Sequence, residues 1–214
     1  MLDALLFTKT PALLKAVYRD CLWKVHTTQK QLYLTFDDGP VPEITPFVLD
    51  ELKKWNAKAS FFCIGKNVSD NPEIFQRIID EGHSIGNHTY NHLNGWNTPD
   101  ELYFENVEKC KLLIDGLVDL PENKPLFRPP YGKLMPSQYS KLKNQYRIVM
   151  WDVLSFDFDL SLDSETVLKN VLKHYEEGSV IVFHDSLKAK AKVEYVLPQV
   201  LAQFTSKGFK FEKL

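Results

Sequence analysis

Long apolar runs are missing from this chain. Nowhere do about 18 apolar residues stand together, so no helix is expected to span a membrane. A surplus of positive charge is missing as well: 26 Lys and Arg face 28 Asp and Glu, a net charge of −2. That balance offers no basic field to a polyanion, and nucleic acid is not expected as a partner. Cysteine is scarce. Cys21, Cys63 and Cys110 are odd in number and widely spaced, with no CxxC pair, so they read as free thiols of a reducing compartment. The N-terminus lacks the marks of a secretory leader. Ala4 to Phe7 is too short an apolar core, Asp3 stands where positive charge belongs, and Pro11 follows soon after. The expected location is therefore cytoplasmic. Linkers, low-complexity tracts and internal repeats are also missing, which leaves one domain of ordinary size.

What is present is an alternation of strand-like and helix-like stretches. Strand character falls at 31–36, 57–64, 83–88, 125–129, 147–151, 179–184 and 209–214. Helical spacing falls between them, at 46–55, 71–81, 98–116, 136–144, 164–175 and 192–206. Start and stop signals agree: Thr45 as an N-cap before Pro46, Asp70 and Glu73 at capping-box spacing, "TPDE" at 98–101, and Gly82 and Gly178 as stops. Strands separated by helices imply parallel pairing, because parallel neighbours need crossovers. An open doubly wound α/β sheet and a closed barrel both fit.

Ahead of residue 31, Leu14, Tyr18, Cys21 and Val25 recur at helical spacing from Pro11 onward. Residues 1–30 read as a helical extension packed on a domain of residues 31–214. Lys15, Arg19 and Lys24 keep a second reading open, a helix in weak contact with a membrane surface.

The polar residues collect at one end of the expected strands. Asp37 and Asp38 follow the first, His88 and His92 the third, and Arg128 ends the fourth. Asp152 and Asp157 follow the fifth, and His184 and Asp185 end the sixth. In parallel α/β folds these C-terminal ends share the face that carries the site. "HTYNH" (88–92) has i, i+4 spacing, which sets two imidazoles on one side of a helical turn, as metal ligands. It is not HExxH, so any base comes from elsewhere. If one aspartate of "DDG" joins the histidines, the set is that of a catalytic zinc site with an open position, and the other aspartate is free to act as base. Each motif alone has a plainer reading: two hydrogen-bonding histidines, and a turn with a capping aspartate.

"TFDDGP", "NHTYNH", "RPPYG", the "SFDF" region and "VFHD" occur in the order of the polysaccharide deacetylases, the NodB-homology domain of carbohydrate esterase family four. The resemblance runs from about Gln31 to the C-terminus. It implies a distorted (β/α)7 barrel, with residues 31–214 as the catalytic domain, and a metal-dependent hydrolase that removes acetyl groups from N-acetylated sugars. It also implies roles. Asp38, His88 and His92 resemble the metal ligands, Asp37 the general base and His184 the general acid. Arg128 is similar to the arginine that holds the base, and Asp157 to the acid that orients the catalytic histidine. Tyr131 resembles the tyrosine whose backbone N–H helps bind the oxyanion. One divalent ion is implied, zinc by ligand type, with cobalt, nickel or manganese also compatible. The substrate partner is a carbohydrate: an N-acetylglucosamine-containing polymer or oligomer, or a lipid-linked precursor.

The fourth motif departs from the family pattern D-x-x-D-W. Leu154 stands for the first acid and Phe158 for the tryptophan, while Asp157 is kept and Asp152, two residues upstream of Leu154, is a candidate to compensate for it. His83 reads as a structural hydrogen-bonding group, His26 and His174 as surface groups, Asp185 as a turn cap and Cys63 as a buried structural thiol. Trp96, Tyr90, Trp151 and Phe156 are open to sugar stacking or to packing. Two other functions compete. One is hydrolysis of other amides or O-acetyl esters by the same constellation; the other is a non-catalytic carbohydrate-binding relic.

Overall fold

The computed structural model describes residues 7–118 and 124–214. Its first strand, β1 (Gln31–Asp37), shows how the sequence makes two faces. Leu32, Leu34 and Phe36 join the large apolar core under the helices, whereas Tyr33 packs with Phe62, Val149 and Val180. The two-residue period therefore sends Tyr33, Thr35 and Asp37 to the concave side of the sheet. The neighbouring strands follow the same rule. In β2 (Ala59–Cys63), Ala59, Phe61 and Cys63 face the helices, and in β7 (Val180–His184), Ile181 and Phe183 do. Phe62 and His184 are left on the face that Asp37 shares.

The elements between them alternate as the spacing predicts. They are α1 (Ala12–Val17), α2 (Thr45–Lys54), α3 (Gly65–Asp70), α4 (Pro72–Asp80), β3 (Ser84–Asn87), α5 (Asp100–Asp115), β4 (Leu126–Phe127), α6 (Pro136–Gln145), β5 (Arg147–Ile148), β6 (Val153–Leu154), α7 (Ser164–His174), α8 (Lys190–Ser206) and β8 (Lys210–Phe211). All strand ladders are parallel, in the order β5-β4-β3-β2-β1-β7-β6, with β8 paired to the start of β1. This curled, seven-strand path with helices outside is the distorted (β/α)7 barrel. Its membership differs from expectation in one respect. The C-terminal strand lies off the path, and β6 takes its place.

The strand expected at 147–151 ends at Ile148, because the backbone beyond it turns to other partners. Met150 N–H donates to Leu22 and Asp152 N–H to Val180. Helix starts also shift. Asn71, not Asp70, precedes α4, and Pro99, not Thr98, precedes α5; neither cap position makes a side-chain cap bond. Thr45 is the first residue of α2 rather than its cap.

The N-terminal segment departs most. Its helix covers only Ala12–Val17 and buries none of its residues. Residues 7–11 and 18–25 fill the gap between β5 and β6, the two ends of the ladder. Leu22 N–H donates to Ile148, Thr10 N–H to Asp152, and Val25 N–H to Gly178, while Leu154 N–H donates to Thr8. Buried Asp152 receives Lys9 at 2.5 Å, Lys15 and the Ser179 hydroxyl. This is why Cys21 and Trp23 are buried without a helix to place them. No helix among the described residues is long and apolar enough to cross a membrane.

Candidate active site

Parallel register brings the chemistry together. Asp37 lies opposite His184 across the β1–β7 pair and opposite Phe62 across β1–β2. His88 follows the end of β3, and Arg128 follows β4. Five of the six non-glycine residues with left-handed φ among the described residues, Asp38, Thr89, His92, Tyr131 and Phe156, lie in the loops at this end. Such strain persists only where the surroundings hold it, and it gathers at functional sites.

The 88–92 segment is not the helical turn its spacing suggests. Thr89 and His92 have φ of 62° and 57°, and the loop is pinned by side chains. Asn87 Oδ1 accepts from Thr89 N–H at 2.8 Å, and Asn106 Oδ1 accepts from both Tyr90 and Asn91 N–H at 2.9 Å. The imidazoles converge all the same. Asp38 Oδ1 is 3.3 Å from His92 Nε2 and 3.7 Å from His88 Nε2. Ligands about 2.0–2.1 Å from a tetrahedral zinc lie about 3.3 Å from each other, so the three donors fit the corners of one coordination sphere. Asp38 Oδ1 is buried and makes no hydrogen bond, the state of an acceptor that needs a cation. His88 Nδ1 lies 2.7 Å from the Arg128 carbonyl and donates to it, which leaves the Nε2 lone pair for an ion. Burial, and then His92, lower the His88 pKa to about 3; burial also lowers that of His92. Both imidazoles are thereby kept in the neutral form that ligates.

Asp37 meets a different partner. Arg128 is fully buried and donates Nη1 to Asp37 Oδ1 at 2.6 Å and to Thr35 Oγ1 at 2.8 Å. Its other donors go to the Val149 and Met150 carbonyls, and its guanidinium lies 4.1 Å from the Phe62 ring. Burial lowers the Arg128 pKa against the pull of Asp37, and a guanidinium starts so far above neutrality that it stays charged.

His184 Nδ1 lies 2.7 Å from Asp157 Oδ1, and His184 N–H donates to Asp157 Oδ2, also at 2.7 Å. Burial disfavours the imidazolium, but the charge of Asp157 and the bond to it outweigh burial and raise the pKa to about 9. Phe158 sets its ring edge on His184 at 4.9 Å, so the residue in the tryptophan position still walls the histidine. Leu154 is buried in β6. Asp152 does not compensate for it, since its bonds go to Lys9, Lys15 and Ser179. The Tyr131 ring lies 4.7 Å from His92, with φ of 59° at its backbone. Beside it runs an apolar groove of about 580 Å³, lined in part by Trp96, Tyr131, Leu134 and Trp151.

His26 is exposed. His83 Nδ1 accepts from Ala59 N–H, His174 Nδ1 bonds the Asn170 carbonyl, and all three cysteines are free and buried. Sequence reasoning missed Asn67, whose amide donates to the Asp38 carbonyl at 2.7 Å, and Thr35. Asn67 sits on α3, a helix too short for periodicity to reveal.

Residues 24–150 match the model of the polysaccharide deacetylase family. A peptidoglycan-N-acetylglucosamine deacetylase of Bacillus cereus is 33% identical over 191 residues, which cover 88% of each chain. A chitooligosaccharide deacetylase of Azorhizobium caulinodans is 32% identical over 167 residues, 76% of this chain and 77% of that one. Matches to longer relatives are partial: the chain spans 38% of the Listeria monocytogenes peptidoglycan-N-acetylglucosamine deacetylase PgdA. Among solved structures, the Bc1960 peptidoglycan N-acetylglucosamine deacetylase superposes with a TM-score of 0.86 at 33% identity, covering 96% of this chain and 95% of that one. By fold, by clustered side chains and by these matches, the chain belongs to the polysaccharide deacetylase family of deacetylase enzymes.

Proposed function

We propose that the protein is a metal-dependent hydrolase that removes the acetyl group from N-acetylglucosamine units of a glycan. The observation that carries this reading is the meeting of three groups at one barrel mouth: Asp38 with His88 and His92, Asp37 with Arg128, and His184 with Asp157. Asp38, His88 and His92 would hold one divalent cation, zinc by donor type. Bound there, the cation supplies Lewis acidity to an amide carbonyl and acidity to a water. Asp37, with one oxygen held by Arg128, offers the other to accept a proton from the attacking water. His184 keeps its Nδ1 proton on Asp157 and presents a second proton at Nε2 to the departing amine. An amide nitrogen leaves poorly as an anion, so this proton is required. Tyr131 is assigned to the oxyanion through its backbone N–H, and the groove beside it to the sugar, with Trp96 and Trp151 as walls. The relatives' stated activities on N-acetylglucosamine support the substrate class.

The test is acetate release from N-acetylglucosamine oligomers and peptidoglycan fragments. Turnover lost on chelation, in Asp37→Asn and in His184→Ala is the expected result. Oligosaccharide bound by metal-loaded protein without turnover points instead to a binding relic, and turnover of O-acetyl esters alone points to an esterase.

A further inference from the structure

We propose that Asp185 is a positioning residue for the site. Its carboxylate holds the turn at 37–41 so that Asp38 faces the cation and Asp37 faces the water. The inference rests on the function proposed above.

Asp185 directly follows His184, leaves the end of β7 and is fully buried. It grips the turn at three points. Its own N–H donates to the Asp37 carbonyl at 3.0 Å. Its Oδ1 accepts from Gly39 N–H at 3.0 Å, and its Oδ2 accepts from the Thr45 hydroxyl at 2.6 Å. The same hydroxyl accepts from Val41 N–H at 2.7 Å, so the far side of the turn is tied to the same group. A Cβ on residue 39 would lie 1.9 Å from Asp185 Oδ2. Glycine is therefore required by the carboxylate pressed against the backbone. Between the anchored residues 37 and 39 stands Asp38, at φ 86°. A left-handed aspartate relaxes unless its neighbours hold it. The one side-chain hydrogen bond to Asp38 itself among the described residues is the amide of Asn67 on its carbonyl, while Asp185 braces it from both flanks, through Asp37 and Gly39. No Lys, Arg or His pairs with Asp185 among the described residues, so its carboxyl group is held by the turn alone, through Gly39 N–H and the Thr45 hydroxyl.

The experiment measures zinc affinity of metal-free protein by competition with a chromophoric chelator, with thermal unfolding of the same samples and kcat and KM for acetate release. Asp185→Ala is expected to weaken zinc binding about 10- to 100-fold, the usual cost of losing a group that orients a ligand. It should lower kcat while KM stays within about twofold, since the groove is untouched. Asp185→Asn keeps the acceptor for Gly39 and should recover most of both. Thr45→Val removes one anchor and should fall between Asp185→Ala and the wild type. A folded Asp185→Ala protein that melts earlier but binds zinc with wild-type affinity overturns the inference and makes the residue a structural cap. If Asp185→Ala does not fold, Thr45→Val decides, and wild-type affinity and kcat there overturn it equally. A wild-type protein that takes up no zinc overturns the reading of the whole site, a result separate from any difference among variants.

Discussion

Asp37 and Asp38 are joined by one peptide bond yet meet opposite environments. The extended backbone of β1 turns Asp37 inward to Arg128, and the left-handed turn swings Asp38 toward His88 and His92. Environment, rather than residue type, separates the roles assigned to them. Arg128 holds this division in place. Arg128→Met should strand the Asp37 carboxylate and cost about 3–5 kcal/mol in urea unfolding; a loss below about 1 kcal/mol would show that the pair does not hold the barrel mouth. His184 permits a test with a sign. Its pKa stands near 9 against an ordinary 6.5, so the imidazole is protonated at neutral pH and loses its proton as pH rises through the folded value. The stability it adds to metal-free protein follows the same course: complete below about 6.5 and gone above about 9. A bound cation lowers the upper limit by repulsion. Asp157→Asn leaves burial, which lowers the pKa, without its main counterweight. The alkaline limb of kcat should then move toward acid by more than about one pH unit. An unmoved limb would separate His184 from the titrating acid.

At the scale of elements, the parts legible in the sequence were those with a period. The apolar alternation of β1, β2 and β7 and the helical stripes of α2, α4, α7 and α8 can be read directly. So can the fact that His88, Arg128 and His184 stand at strand ends, which was enough to expect their convergence. What could not be read has no period to show. α3 is six residues and β6 is two. Residues 7–25 take their form from the sheet edge they cover rather than from their own helical spacing. For the same reason Asp152 misleads. In sequence it looks like a displaced catalytic acid, and only the fold shows it latching Lys9, Lys15 and Ser179. Asp152→Ala should therefore loosen this segment first. Hydrogen exchange at Leu22 and Val25 should quicken, with a global cost of about 1–3 kcal/mol because both lysines can turn to solvent. Acetate release should persist. Slowed exchange there, or loss of activity with the segment still protected, would contradict the latch.

For the whole molecule, the barrel mouth gathers carboxylates and neutral imidazoles that the chain itself leaves partly unanswered. Asp38 Oδ1 is buried without a partner, and a cation that binds only the folded state must raise its stability. At one hundred times its dissociation constant, zinc should add about 2.7 kcal/mol to unfolding, and chelation should remove it. The most direct measurement is the zinc content of dialysed protein, wild type beside His88→Ala combined with His92→Ala. One equivalent in the wild type and none in the double variant is the predicted result. Equal zinc in both, or none in the wild type after reconstitution, would contradict the account.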